Sequence, residues 1–252
     1  MPISQSIRDG IAEVVMENPP VNALAVAGWF DLASKIRALG EDPAVRALIL
    51  RAEGRGFNAG VDIKEMQASG DHAALIGANR GCFAAFAAVY ECAVPVIAAV
   101  HGYCLGGGIG LVGNADIIVA STDATFGLPE VDRGALGAAT HLARLVPQHK
   151  MRAMVYTGAR ATAAELHAFG SVLEVVEKEG LRDAALTVAR EIAKKSPTVM
   201  RAAKECLNGI DPVDVRRSYR YEQGFTFELN LAGVSDEARA AFVEKRDAKF
   251  EK

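Results

Sequence analysis

Two glycine-rich stretches carry the residues best suited to chemistry: "GRGFNAGVDIKEM" (Gly54–Met66), one residue after the apolar run "ALILRA", and "HGYCLGGGIG" (His101–Gly110), directly after "VPVIAAV". Glycine lets a backbone N–H approach a ligand without a Cβ in the way, and a helix starting at such a turn adds its positive dipole end. Two N–H donors converging from separate turns would form an oxyanion hole, which stabilises negative charge developing on a carbonyl oxygen. Either loop alone is equally well read as a tight turn with close helix–strand packing. Gly108, Gly110 and Gly113 also spell G-x-G-x-x-G, but seven residues separate Val100 from Gly108, where a dinucleotide-binding turn is tight.

The elements that must position these loops alternate. "IAEVVM" (11–16), "RALILRA" (46–52), "VPVIAAV" (94–100) and "ADIIVAS" (115–121) read as strands. Trp29, Leu32, Ala33, Ile36 and Leu39 recur at helical spacing, and residues 73–90 form a second helical stretch. This alternation predicts an α/β fold with a largely parallel sheet, in which ligands bind beyond the carboxyl ends of the strands. From about Ser196 the pattern is helical throughout, giving a core over 1–195 and a C-terminal helical region over 196–252.

Composition narrows the function classes. Half of the 252 residues are apolar, 23% are charged, and the formal net charge is −3. This fits a globular protein and argues against a nucleic-acid binder, which needs a strong positive field. Cys82, Cys92, Cys104 and Cys206 have no CxxC spacing and are expected as free thiols in a cytoplasmic protein. The N-terminus has no apolar signal region. Residues 93–113 lack Asp, Glu, Lys and Arg, but Pro95, His101 and six glycines argue against a membrane helix. The five histidines form no zinc pattern, and no G-x-S-x-G elbow is present, so neither a metal nor a serine esterase is expected.

Four segments in order, "FNAGVDIKEM", "VPVIAAVHGYCLGGGIGL", "NADIIVASTDATFGLPEV" and "AFVEKRDAKF", resemble the crotonase, or enoyl-CoA hydratase/isomerase, superfamily over nearly the whole chain. The resemblance implies a ββα spiral core with a C-terminal helical trimerisation region, assembled as a homotrimer or a homohexamer. It implies an acyl-CoA substrate, with coenzyme A entering as part of the thioester and no permanently bound cofactor. Carried over, the oxyanion-hole donors are the amides of Ala59 and Gly107, which would hold a thioester enolate. Asp62 and Ile63 fall where the family holds the adenine end of CoA, and Phe242 and Lys245 match tail residues that reach CoA, typically from a neighbouring subunit. Glu130, in "GLPEVDRG", matches a catalytic glutamate and is the expected general acid/base. Without the resemblance, Glu130 reads as a solvated turn residue and Lys245 as a solvated helix charge.

Two departures stand out. The second glutamate of the hydratases is Gly110 here, and Ala138 in "LGAATHLARL" replaces a family glycine. Syn hydration is therefore not the expected reaction. "PEVDRGALGAATHLARLVPQH" and "EQGFTFELNLAG" resemble instead a branch of the family that hydrolyses a ring C–C bond of a bicyclic indenedione CoA thioester in actinobacterial steroid catabolism. An enoyl-CoA hydratase or a Δ3-Δ2-enoyl-CoA isomerase, and a non-catalytic CoA-binding scaffold, are the alternatives. Asp132, His141, Tyr103 and Tyr90 are candidates for positioning a bulky substrate, or else structural partners.

Overall fold

The computed structural model describes residues 2–68 and 72–249. In chain order its elements begin with β1 (Ile3–Arg8), β2 (Ile11–Met16), α1 (Val26–Glu41), β3 (Ala47–Ala52), α2 (Ile63–Ala68) and α3 (Ala73–Tyr90). They continue with β4 (Val96–Val100), β5 (Tyr103–Leu105), α4 (Gly107–Val112), β6 (Ile117–Ser121), β7 (Thr125–Gly127) and a 3-10 turn over Pro129–Arg133. The remainder is α5 (Ala139–Leu142), α6 (Gln148–Thr157), β8 (Arg160–Thr162), α7 (Ala163–Ala168), β9 (Glu174–Val176), α8 (Leu181–Ala193), α9 (Pro197–Gly209), α10 (Val215–Leu231) and α11 (Val234–Glu244).

A large sheet runs β1-β2-β3-β4-β6-β9, parallel except at the β1–β2 hairpin, and a small sheet runs β5-β7-β8. The continuous apolar character of β3 and β4 follows from burial on both faces. Leu48, Leu50, Val96, Ala98 and Val100 face α1 and α3, whereas Ala47, Ile49, Ile97 and Ala99 face Leu181, Ala185 and Ala189 of α8.

The chain passes between the sheets in repeated turns, each made of a large-sheet strand, a small-sheet segment and a helical turn. The first is β3, a bridge at Asn58, and α2; the second is β4, β5 and α4; the third is β6, β7 and the turn at 129–133. The small-sheet segments lie side by side in register, with Asn58 opposite Cys104 and Cys104 opposite Phe126. Ala59, Gly107 and Glu130 therefore each follow the small-sheet segment of a successive turn. A position repeated along a spiral stacks in space, and this stacking gathers three residues separated by 71 positions of sequence (59 to 130) onto one edge.

One expectation needs correction: the second glycine loop is not a simple strand-to-helix turn, because β5 is inserted into it to pair with β7. Residues 93–113 are divided among β4, β5 and α4, as expected of a segment that is not a membrane helix. Among the described residues, the helix long and apolar enough to cross a membrane is α3, and 56% of it is buried in the protein, against α1 and the core.

Candidate active site

The convergence of the loops is close. Asn58 accepts the Leu105 amide at 2.9 Å on its backbone carbonyl, and its side-chain Oδ1 accepts the Gly60 amide at 2.8 Å. A methyl built on Gly60 would lie 3.1 Å from the Gly107 nitrogen, so the loop passes the start of α4 at a separation that a side chain would crowd. Gly60 also has φ +89°. The amides of Ala59 and Gly107 donate to no acceptor among the described residues, nor does that of the buried Gly108, while the amides of Gly60, Gly106 and Ile109 are paired. Ala59 and Gly107 remain partly accessible. Two unspent donors on adjoining turns are what an oxyanion would accept from.

Glu130 meets this cradle from the third turn. A methyl on Gly106 would be 2.6 Å from its Oε1, so the carboxyl rests directly on the bare backbone before Gly107. Its Oε2 is buried and has no hydrogen-bond partner. Burial pushes the Glu130 acid up to about 7, against the smaller opposing influences of its own backbone amide and the Arg133 guanidinium. A carboxyl exchanging its proton near neutrality, with a free oxygen, has the properties of a general acid/base. It opens on a cavity of ≈ 230 Å³ walled chiefly by apolar groups, among them Leu128, Leu136, Val155, Tyr221 and Phe225. A larger cavity of ≈ 510 Å³, between α2, α3, α10 and α11, contains none of the three convergent residues.

Gly110 has no room for a carboxylate. Its added Cβ would lie 2.1 Å from Cζ of Phe86, whose ring is wedged edge-on against Trp29 and His141. Gly108 likewise packs on the Asn58 carbonyl, so the apparent dinucleotide fingerprint is helix-packing glycine inside α4. Gly110→Ala is expected to cost about 1–3 kcal/mol in urea denaturation through overpacking. Adding Phe86→Leu should recover part of that loss; a second change that only adds to it would show that Phe86 is not the obstacle.

Residues 6–252 match the enoyl-CoA hydratase/isomerase family. The chain belongs to that family. It is 66% identical, over 94% of its length and 92% of the relative's, to the (7aS)-7a-methyl-1,5-dioxo-2,3,5,6,7,7a-hexahydro-1H-indene-carboxyl-CoA hydrolase of Rhodococcus jostii (strain RHA1). The hydrolase of the same name from Mycobacterium tuberculosis (strain ATCC 25618 / H37Rv) is also 66% identical, over 97% of this chain and all (100%) of the relative. A crystal structure of an enoyl-CoA hydratase/isomerase from Pseudoalteromonas atlantica T6c superposes with a TM-score of 0.88 at 25% identity, covering 100% of both chains. The crotonase-like α/β fold of the family is thus the fold of this chain.

Within this family frame, the other expected residues are distributed as follows. Asp62 stands at the start of α2, its Oδ1 accepting the Lys64 amide at 2.9 Å, with Ile63 next to it as the first helical residue. Phe242 and Lys245 lie at the exposed end of α11, with the Arg133 guanidinium 4.3 Å over the Phe242 ring in the same chain. This places the tail beside the turn that carries Glu130. Tyr103 stacks on Gly56, and the Tyr90 hydroxyl donates to the Asn208 carbonyl at 3.0 Å. Asp132 turns away to Gly158. His141 is buried with both ring nitrogens unpartnered, and burial pulls it down to about 3, which keeps it neutral. Cys82, Cys92 and Cys104 are buried free thiols and Cys206 is an exposed one.

One cavity residue is not legible in the sequence. Glu222 of α10 lines the same cavity as Glu130 and accepts the Ala139 amide at 2.8 Å and the Thr140 amide at 2.6 Å, as well as the Thr140 hydroxyl. Nothing in the sequence marks it: that Gln223, Thr226 and Asn230 of the same helix are buried despite their polarity appears only in the fold.

Proposed function

We propose that this chain is a hydrolase of the CoA thioester on which its two 66% identical relatives act, opening the five-membered ring of the bicyclic indenedione by C–C cleavage. The observation that carries the reading is the carboxyl of Glu130, with its unpartnered oxygen, beside the free amides, while the hydratases' second glutamate position is filled by the Phe86 ring. In this reading Glu130 takes a proton from water, whose oxygen attacks the ring ketone carbon. The bond from that carbon to the methyl-bearing ring carbon breaks, and its electron pair passes through the conjugated system to the thioester oxygen. The amides of Ala59 and Gly107 hold the resulting enolate oxygen, and one donor of this kind is worth about 2.7–4 kcal/mol. Glu130 then returns its proton to carbon, so that the balance is one water added and one C–C bond opened.

The apolar cavity suits a bicyclic hydrocarbon frame, and Asp62, Ile63, Phe242 and Lys245 are the proposed CoA contacts. A homotrimer or homohexamer built through 196–252 and a cytoplasmic location belong to the same reading, the latter supported by four unpaired thiols. Incubation of the purified protein with the indenedione carboxyl-CoA should give a product heavier by one water, seen by mass spectrometry. An unchanged thioester, with turnover of crotonyl-CoA or a 3-enoyl-CoA instead, would make the protein a hydratase or isomerase.

A further inference from the structure

Two carboxyl groups from distant elements, Glu130 and Glu222, line one small cavity whose other walls are mostly apolar. We propose that Glu222 is a positioning residue for Glu130: it clamps the 136–140 wall of the acyl cavity and supplies the standing negative charge against which Glu130 exchanges its proton. The proposal rests on the reading of Glu130 as the acid/base.

The asymmetry of hydrogen bonding assigns the two roles. Both Glu222 oxygens are engaged, Oε2 by the Ala139 amide and Oε1 by the amide and hydroxyl of Thr140. Burial raises the Glu222 acid as well, but three donors work against that rise by favouring its ionised form, whereas Glu130 has a buried oxygen with no donor at all. When two interacting carboxyls share a site of low polarity, the one richer in donors keeps the charge and the other keeps the proton. With all its donors committed, Glu222 is poorly placed to shuttle protons itself.

The same bonds explain how it shapes the wall. Helix α5 is a single short turn whose cap residue, Ala138, sits at φ +62°, a conformation costly for alanine. The Glu222 carboxylate holds the first two amides of that turn, and one helical turn further on Thr226 accepts the Leu136 amide at 3.1 Å. Leu136, Gly137 and Ala139, all part of the cavity lining, are thereby fixed to α10. The titratable and charged groups close enough to act on Glu130 are Arg133 and Asp132 from its own turn, the latter with its carboxylate turned toward Gly158, Tyr219 and Glu222 from α10, and Cys82 from α3. Of these, Arg133 favours the Glu130 anion, and Tyr219 and Cys82 are held neutral by burial. Asp132 and Glu222 both oppose the anion, and Glu222 is the one that also lines the cavity.

The test compares Glu222→Gln, Glu222→Asp and Thr140→Ala. In each, the midpoint of Glu130 titration is read in two ways: from the pH profile of kcat/KM on the indenedione carboxyl-CoA, and, without substrate, from the pH dependence of the stability difference between that protein and its Glu130→Gln derivative. Glu222→Gln should lower the midpoint by roughly half to one pH unit. Glu222→Asp, which keeps the charge, and Thr140→Ala, which weakens the clamp alone, should leave it in place while lowering kcat. A midpoint unmoved in Glu222→Gln, or moved equally in all three, overturns the proposal. If the substrate is not turned over by the wild type but the stability midpoint still moves in Glu222→Gln alone, the substrate reading fails and the link between the carboxyls stands.

Discussion

Glu130→Gln should lower kcat on the indenedione carboxyl-CoA by about 10²–10⁴-fold, the usual contribution of one positioned acid/base. The substitution keeps the shape of the side chain and removes only its exchangeable proton. The proposed CoA contacts at Asp62, Ile63, Phe242 and Lys245 do not involve it, so binding of the thioester, followed by calorimetry, should change little. In the wild type the ionised carboxyl is the form that takes a proton from water. The rate at low substrate should therefore rise with pH up to about 7 and level off above it, following the position to which burial moves this acid. In Glu130→Gln that limb should vanish together with the rate. A variant retaining a tenth or more of the activity would remove Glu130 from the chemistry and favour a mechanism run by the amides and bound water alone. Full retention of CoA binding by a wild type without any turnover would instead describe a scaffold.

Much of the frame that holds this site is legible in the sequence, for a physical reason. β2, β3, β4 and β6 are buried on both faces or nearly so, and such strands appear as unbroken apolar runs. Helix α3 is recovered at its observed limits because an 18-residue stretch rich in alanine and large apolar side chains has few other folds. β1 is not legible: five of its six residues are exposed, so it shows neither alternation nor an apolar run, and it is a strand only because β2 offers an edge. β5, β7, β8 and β9 are three residues each, too short for any period to register.

The site divides along the same line. The two glycine loops announce themselves, because closely approached backbone requires glycine wherever it occurs. Glu130 is placed by family resemblance alone; what makes it special is its stacking above Gly106 in the next turn of the spiral, a relation between residues 24 apart (106 to 130) that no local pattern encodes. The replacement of the second glutamate by Gly110 is visible, but its cause is not. Phe86 reaches that position from another helix, and its ring, rather than solvent, takes up the space. Glu222 is further still, since its partners Ala139 and Thr140 are 83 and 82 residues away.

The buried carboxyl also leaves a mark on stability that can be measured without any substrate. The ordinary value for Glu130 is 4.5, and in the folded protein burial raises it to about 7. Between those limits the folded protein retains a proton that the unfolded chain has released, so raising the pH through this window weakens the fold, and the loss is complete above about pH 7. The whole displacement corresponds to about 3 kcal/mol. Gln at this position does not titrate. The stability of Glu130→Gln relative to the wild type should therefore climb by about 2 kcal/mol between about pH 5 and about pH 8, in urea denaturation repeated across that range. A fixed offset from seating the amide in the apolar cavity is the same at every pH and drops out of the comparison, as does the titration of carboxylates far from the site, such as Glu13 in its pairs with Arg51 and Arg182. A difference that stays flat across the range would mean that Glu130 reaches water in solution, and a carboxyl that well hydrated would have no reason to hold its proton near neutrality. A difference that climbs would identify the acid/base as a group the fold keeps at a standing cost, released only when it is made unable to ionise.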